Sequence, residues 1–227
     1  PGCRFDSESY SYGYSWSKEL LQEWDWKEHF SPQPDSLEYL NYVAKKFDLR
    51  KDITFNARVK AATYDEKANC WEIETEKGEK ARAQFLITAI GVLSATQMPR
   101  IPGIENFKGV STHTSRWPKA EKGFGGKDLG IAGKRVGVIG TGATGVQVIT
   151  EVAKTAGHLT VFQLAPEFCA PLRNAKITSE EQAKIKASYA EIFKKCKETT
   201  AGFIHDFVMK SALEVSAEER EAFFEYL

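Results

Sequence analysis

Three glycines offer the clearest chemistry in this chain: Gly140, Gly142 and Gly145, spaced G-x-G-x-x-G. After a strand and at the mouth of a helix, such a run receives the pyrophosphate of a dinucleotide. The first glycine permits the tight turn, and the second lets the backbone approach the phosphate. The third lets helix and strand pack closely, while the helix N-terminus offers free N–H groups. The candidate phosphate-binding stretch is therefore Gly140, Thr141, Gly142, Ala143, Thr144, Gly145, Val146 and Gln147. The bland alternative is a glycine-rich turn in an ordinary α/β protein. NAD binders place Asp or Glu at the end of the second strand to hold the ribose hydroxyl, and an Arg nearby accommodates a 2′-phosphate. Here that position reads Phe162-Gln163-Leu164-Ala165-Pro166, with no acid, which argues against NAD.

Two further side chains could do chemistry. Asp6 sits in PGCRFDSES, and His113 in FKGVSTHTSRWP. Taken alone, Asp6 reads as an exposed loop carboxylate and His113 as a solvated or hydrogen-bonded surface residue. Tyr10, Tyr12 and Tyr14 read as an aromatic patch packed on a neighbouring helix. His29, His158, His205, Trp24, Trp26 and Trp71 have no partner pattern and read as structural. Cys3, Cys70, Cys169 and Cys196 are scattered without a C-x-x-C pair, which points to reduced thiols of a cytoplasmic protein rather than a zinc site or disulfide framework.

The elements that must position these residues are legible from periodicity. Residues 1–16 lack a sustained helical period and read as a long loop. Helices are expected at Lys18–Trp24 and at Asp35–Phe47, where Leu37, Leu40, Val43, Ala44 and Phe47 would form one apolar face. Strands are expected at 53–55 and 58–64, then a hairpin of 70–76 and 80–84 turning at Lys77-Gly78. The apolar run Phe85-Leu86-Ile87 suits a strand buried on both faces of a parallel sheet. A strand at 135–140, a helix at 143–156 and a strand at 159–163 form a β-α-β unit, the opening of a doubly wound fold. Ser179-Glu180-Glu181-Gln182 and Ser216-Ala217-Glu218-Glu219 read as capping boxes opening helices; Ile185, Tyr189, Ile192, Phe193 and Cys196 share a face behind the first.

Composition narrows the function class. The chain has 227 residues, with 31 basic against 31 acidic and 42% apolar. That balance gives no electrostatic case for nucleic acid or an anionic membrane. No apolar run approaches the ~18 residues of a membrane helix. Pro1 is no initiator and Leu227 falls inside what reads as an unfinished helix, so a fragment of a longer protein is expected.

The stretch Phe107–Pro118 resembles F-x-G-x-x-x-H-x-x-x-W-P, a signature of Baeyer–Villiger monooxygenases, with Phe107, Gly109, His113, Trp117 and Pro118 in its defined positions. PGCRFDSESYSYGYSWS and FLITAIGVLSATQMPRIPG resemble further segments of that family, so the likeness covers nearly the whole chain. It implies an α/β protein with two dinucleotide-binding (Rossmann-like) domains, both incomplete here, a β-meander and a helical insertion. The divisions expected are a partial FAD domain over 1–106, a signature linker over 107–132, the first part of an NADP domain over 133–172 and the start of the insertion over 173–227. It further implies FAD and NADP as cofactors and a small ketone with O2 as substrates, oxygen being inserted beside the carbonyl to give an ester or lactone. An oxygenase acting on nitrogen or sulfur is the nearest alternative, and the isolated chain is expected to be a non-catalytic NADP-binding remnant. Carried over, Asp6 would lie beside the flavin and orient a catalytic arginine, Phe5 and Ser7 would approach the nicotinamide, and Tyr12 and Val59 would contact FAD. His113 would couple the two nucleotide domains. Two positions depart from the family: Ile90 replaces a Thr, and Leu164 stands where an Arg grips the 2′-phosphate.

Overall fold

A computed structural model describes residues 2–118, 128–167, 169–199, 201–205 and 210–226. The chain divides into two compact units, one of Pro1–Val43 with Trp117–Leu227 and one of Ala44–Arg116.

The first unit opens with an extended segment that leads into a 3₁₀ turn at Ser9–Tyr12 and helix α1, Lys18–Glu23. The Ser17 side chain caps α1 by accepting from the Leu20 N–H. Helix α2 follows at Gln33–Lys46. Its buried residues are Tyr39 and Val43; Val43 holds the expected face and Leu37, Ala44 and Phe47 are half-buried, but Leu40 is half exposed and Tyr39 is buried in its stead. Tyr39 wins because its ring meets other rings: its centroid lies 5.0 Å from Trp26 and 5.1 Å from Trp24. Its hydroxyl also accepts from the Tyr14 N–H at 2.8 Å. Leu20, Leu21, Trp26 and Tyr189 complete this core. Truncating a buried Trp such as Trp26 to Ala typically costs ~3–5 kcal/mol.

Residues 27–33 run between two other segments. On one side Phe5 N–H donates to Ser31 O and Gln33 N–H to Cys3 O, both at 2.9 Å. On the other, His29 N–H donates to Ala175 O and Ile177 N–H to Lys27 O, both at 3.0 Å. The hydroxyls of Ser9 and Ser31, each fully buried, satisfy one another at 2.8 Å.

Strand β4 (Arg135–Ile139), helix α3 (Ala143–Ala153) and strand β5 (His158–Phe162) form the expected β-α-β unit, with β4 and β5 parallel and in register from Arg135↔His158 to Ile139↔Phe162. The helix ends three residues before the expected boundary, where Lys154 N–H and Thr155 N–H turn back onto Glu151 O and Val152 O. Helices α4 (Ser179–Ala187) and α5 (Tyr189–Glu198) break at Ser188. The first cap lies one residue earlier than expected. Thr178 accepts from the Glu181 N–H, and the Glu181 carboxylate answers at the Thr178 N–H. Helix α6, Ala217–Tyr226, opens on the expected box: Ser216 and Glu219 exchange the same pair of bonds at 3.0 and 3.1 Å.

The second unit is built on an antiparallel meander of β1 (Val59–Asp65), β2 (Cys70–Thr75) and β3 (Lys80–Ala83), turning at Gly78 with φ +82°. The strand expected at 53–55 is absent: a 3₁₀ turn occupies Leu49–Asp52, and Asn56 takes a left-handed φ of 56°. Nor do Phe85–Ile87 form a buried strand. Phe85 and Ile87 are 78% and 88% exposed, and no described residue supplies the ladder bonds a strand needs. Among the described residues no helix is long and apolar enough to cross a membrane.

Candidate functional site

The phosphate turn is set by its backbone. Gly140 has φ +101°, a conformation L side chains rarely adopt, and its N–H donates to Phe162 O at 2.9 Å, closing the β4–β5 ladder. A Cβ on Gly145 would lie 2.5 Å from Gly140 O and 3.0 Å from its carbonyl carbon, so only glycine lets α3 approach the turn this closely. Gly142 is the N-cap of α3 with φ −64° and ψ 177°, and no side chain caps the helix. A Cβ there would meet nothing within 4 Å. The helix therefore begins uncapped in front of open space, with first-turn N–H groups that lack intrahelical acceptors. That cradle fits an anionic pyrophosphate. Gln163 Nε2 donates to Thr141 Oγ1 at 3.4 Å, holding the end of β5 beside the turn, and the next side chain, Leu164, is fully exposed. Ala143, Thr144 and Val146 occupy the first turn of α3.

The loop that carries Asp6 forms a second cluster. The Phe5 ring stacks on Tyr12, with centroids 3.8 Å apart and planes 8° from parallel. The buried Ser7 hydroxyl bonds the Tyr12 hydroxyl at 2.8 Å. Phe5 and Ser7 thus share one partner, as alternate residues of an extended segment do. Asp6, between them, is exposed and has no hydrogen-bond partner among the described residues.

These two clusters are joined. Arg4 N–H donates to Gln147 Oε1, and Gln147 Nε2 donates to Arg4 O, both at 3.2 Å. Gly2 lies against α3 one turn on, where a Cβ would fall 2.1 Å from Glu151 Cγ. The Arg4 guanidinium bonds the Glu28 carboxylate and Phe30 O, each at 3.0 Å. Asn174 donates to the same Glu28 oxygen at 2.5 Å and accepts from the Phe30 N–H at 3.0 Å. Burial alone would raise the Glu28 pKa, but the bonds from Asn174 and Arg4 outweigh it and hold the carboxyl below its ordinary value. The sequence carried no signal for this cluster, because its partners lie 24, 143 and 146 positions apart.

Val59 and His113 belong to the second unit. Val59 is exposed at the start of β1, beside an irregularity in the β1–β2 register. His113 heads a 3₁₀ turn at Thr114–Arg116. Ser115 N–H donates to His113 Nδ1 at 3.2 Å, so Nδ1 is an acceptor and the neutral ring carries its proton on Nε2. The Ser115 hydroxyl adds a second bond to Nδ1 at 2.9 Å. That hydroxyl in turn meets Thr96 Oγ1 at 2.9 Å, which accepts from Arg116 Nε at 2.9 Å. Phe107 and Gly109 of the signature are in contact: a Cβ on Gly109 would lie 2.6 Å from the Phe107 ring. Trp117 and Pro118 are half-buried. Among the described residues no group of three His, Cys, Asp or Glu could hold a metal ion.

Comparison with known proteins adds a context for this geometry. The flavin-binding monooxygenase-like family matches over residues 21–165. The chain is 47% identical over 225 residues to cyclohexanone 1,2-monooxygenase of Acinetobacter sp, covering 99% of this chain and 40% of that protein. It is 40% identical over 228 residues to phenazine N-monooxygenase PhzNO1 of Lysobacter antibioticus, covering all of this chain and 40% of that protein. Among solved structures, OTEMO in complex with FAD and NADP superposes with a TM-score of 0.87 at 46% identity, over 100% of this chain and 42% of that one. The chain thus spans about two fifths of the proteins it matches.

Proposed function

Because this chain belongs to the flavin-binding monooxygenase-like family, we propose that it is part of a Baeyer–Villiger monooxygenase, which uses NADPH and O2 to insert oxygen beside the carbonyl of a small ketone. The observation that carries the reading is the 46–47% identity to OTEMO and to a cyclohexanone monooxygenase across essentially all of this chain. Bound FAD, reduced by NADPH, supplies the activation of O2. The protein's share is binding, orientation and electrostatics.

In this reading β4, α3 and β5 open the second of two Rossmann-like domains. The turn from Gly140 to Gly145 and the first turn of α3 hold the NADP pyrophosphate through backbone N–H groups. Phe5, Ser7 and Tyr12 form the wall toward the flavin and nicotinamide, and the uncommitted carboxylate of Asp6 orients a cationic group beside the flavin. Val59, in the separate meander unit, is assigned by itself as a flavin contact. His113, with Nδ1 held by Ser115, offers an Nε2–H donor whose direction is fixed, which suits a linker residue that couples two nucleotide domains. The four free cysteines suit a cytoplasmic setting.

A second reading has its own support, since a phenazine N-monooxygenase is 40% identical over the same span. Incubating the full-length protein with NADPH, O2 and a panel of ketones and N-heterocycles separates them. Ester or lactone products are expected; N-oxides alone would overturn the ketone assignment.

A further inference from the structure

The mutual bonds between Gln147 and Arg4 are unusual in what they connect. Gln147 lies two residues past the last glycine of the phosphate turn, on the second turn of α3. Arg4 lies two residues before Asp6. The backbone between Cys3 and Phe5 is gripped from both edges. Cys3 O and Phe5 N–H pair with Gln33 and Ser31 on one side, each at 2.9 Å. Arg4 N–H and Arg4 O, which point to the other side, are both taken by the single amide of Gln147 at 3.2 Å. The side chain thereby plays the part of a neighbouring strand, satisfying a donor and an acceptor that would otherwise lie unpaired. The amide presents a donor and an acceptor side by side in that geometry; an ionised carboxylate lacks the donor, and a methionine lacks the donor and offers only a weak sulfur acceptor. Gly2, with φ +76° and no Cβ, lets the same segment lie against Glu151, one helical turn further along the same face of α3.

We propose that Gln147 is a positioning residue that sets the register between the phosphate-binding helix and the Asp6 loop, so that a nucleotide seated at the turn is placed relative to Phe5, Asp6 and Ser7. This rests on the reading of the turn as an NADP site and of the loop as the flavin-side wall. Its distinct content is the mechanical link. The helix that holds the phosphates and the loop that meets the reacting rings move as one body through the Gln147 amide, and the bond to Arg4, not a contact with the nucleotide, is the part Gln147 plays. Misplacing reacting groups by about 1 Å can cost up to ~100-fold in rate, so a partial loss of register is expected to cost about tenfold.

Two measurements on the full-length, FAD-loaded protein test this. In the first, hydrogen exchange of the unaltered protein is followed with and without NADP+. Peptides covering 2–9 are expected to gain protection together with those covering 140–150; protection of 140–150 with 2–9 unchanged would overturn the link. In the second, Gln147→Met and Gly2→Ala are compared with the parent for NADP+ affinity, thermal midpoint and the rate of anaerobic flavin reduction by NADPH. For Gln147→Met, NADP+ affinity within about twofold and a reduction rate lowered about tenfold are expected. Gly2→Ala, altered from the loop side, is expected to repeat that pattern. An unchanged rate in Gln147→Met, or weakened NADP+ binding with an unchanged rate, would overturn the proposal. Should Gln147→Met fail to retain FAD, Gly2→Ala and the exchange experiment still decide it. If the unaltered protein neither binds NADP+ nor shows reduction by NADPH, the nucleotide reading itself has failed, an outcome distinct from failure of the link.

Discussion

Replacing the second and third glycines of the phosphate turn by alanine should produce two different defects, and the difference follows from the structure. At Gly145 the new Cβ would sit 2.5 Å from Gly140 O and 3.0 Å from its carbonyl carbon, both backbone atoms that cannot swing aside. Overpacking costs ~1–3 kcal/mol, and a clash this close with backbone that cannot yield falls in the upper part of that range, ~2–3 kcal/mol. Against it stands the gain of about 1 kcal/mol that Ala brings over Gly within a helix. The net expectation is a loss of roughly 1–2 kcal/mol, or about 2–8 °C in thermal midpoint for a chain of this size. At Gly142 the backbone is extended, with φ −64°, and the Cβ meets nothing. Stability should fall by no more than about 1 kcal/mol, the cost of a poorer N-cap residue. That methyl group, however, occupies the space in front of the helix where the pyrophosphate would lie, so NADP+ affinity should fall by more than about tenfold. Calorimetric melting and NADP+ titration of the two variants check this. A Gly142→Ala protein that binds NADP+ normally, or a Gly145→Ala protein that melts like the parent, would refute the geometry argued for the turn.

Leu164 is fully exposed just beyond Gln163, whose amide rests on Thr141 of the turn. Leu164→Arg should tighten NADPH binding about tenfold and leave NADH unchanged, since a charge-assisted bond to a phosphate contributes roughly 1.5–3 kcal/mol; equal effects on both nucleotides would contradict the placement. Burial pushes the pKa of the Tyr189 hydroxyl up to about 12, against a hydrogen bond with Trp26 that lowers it. The folded pKa exceeds the ordinary value of 10.0, so the stabilisation is complete below pH 10.0 and is lost as pH rises through about 12. It amounts to roughly 3 kcal/mol. Burial raises Tyr10 and Tyr39 in the same direction. In urea melts across this range the parent should lose stability relative to Tyr189→Phe as pH rises, because only the parent must ionise a buried phenol, and parallel curves would refute the assignment. Thr178→Ala removes the cap of α4 and should cost about 1 kcal/mol in urea unfolding, with Ser179→Ala near neutral; the reverse order would restore the cap to the later residue.

Much of this architecture was legible because its causes are local. The meander announced itself by alternation along Cys70–Thr75 and by Gly78, and the β-α-β unit by two apolar strands around a glycine turn. Where non-local packing decides, the sequence misled. Leu40 looked like a core residue by spacing, yet Tyr39 is buried because Trp24 and Trp26 receive its ring. Phe85–Ile87 read as a buried strand from composition alone, whereas a strand exists only through neighbours that pair with it. The site divides in the same way. Gly140, Gly142 and Gly145 follow from the mechanics of a phosphate turn. The junction of Arg4 with Gln147, and the chain from Arg116 through Thr96 and Ser115 to His113, join a side chain to a distant backbone or hydroxyl, and no periodicity encodes such a bond.

The ketone-oxygenating function is tested most directly by isotope. The full-length protein, loaded with FAD, would be given NADPH, a cyclic ketone and ¹⁸O2, and the product analysed by mass spectrometry. A lactone carrying one heavy oxygen, placed between the carbonyl carbon and the migrated carbon, is expected. Recovery of unchanged ketone while NADPH and O2 are consumed, or heavy oxygen found only on the nitrogen of an added N-heterocycle, would contradict it.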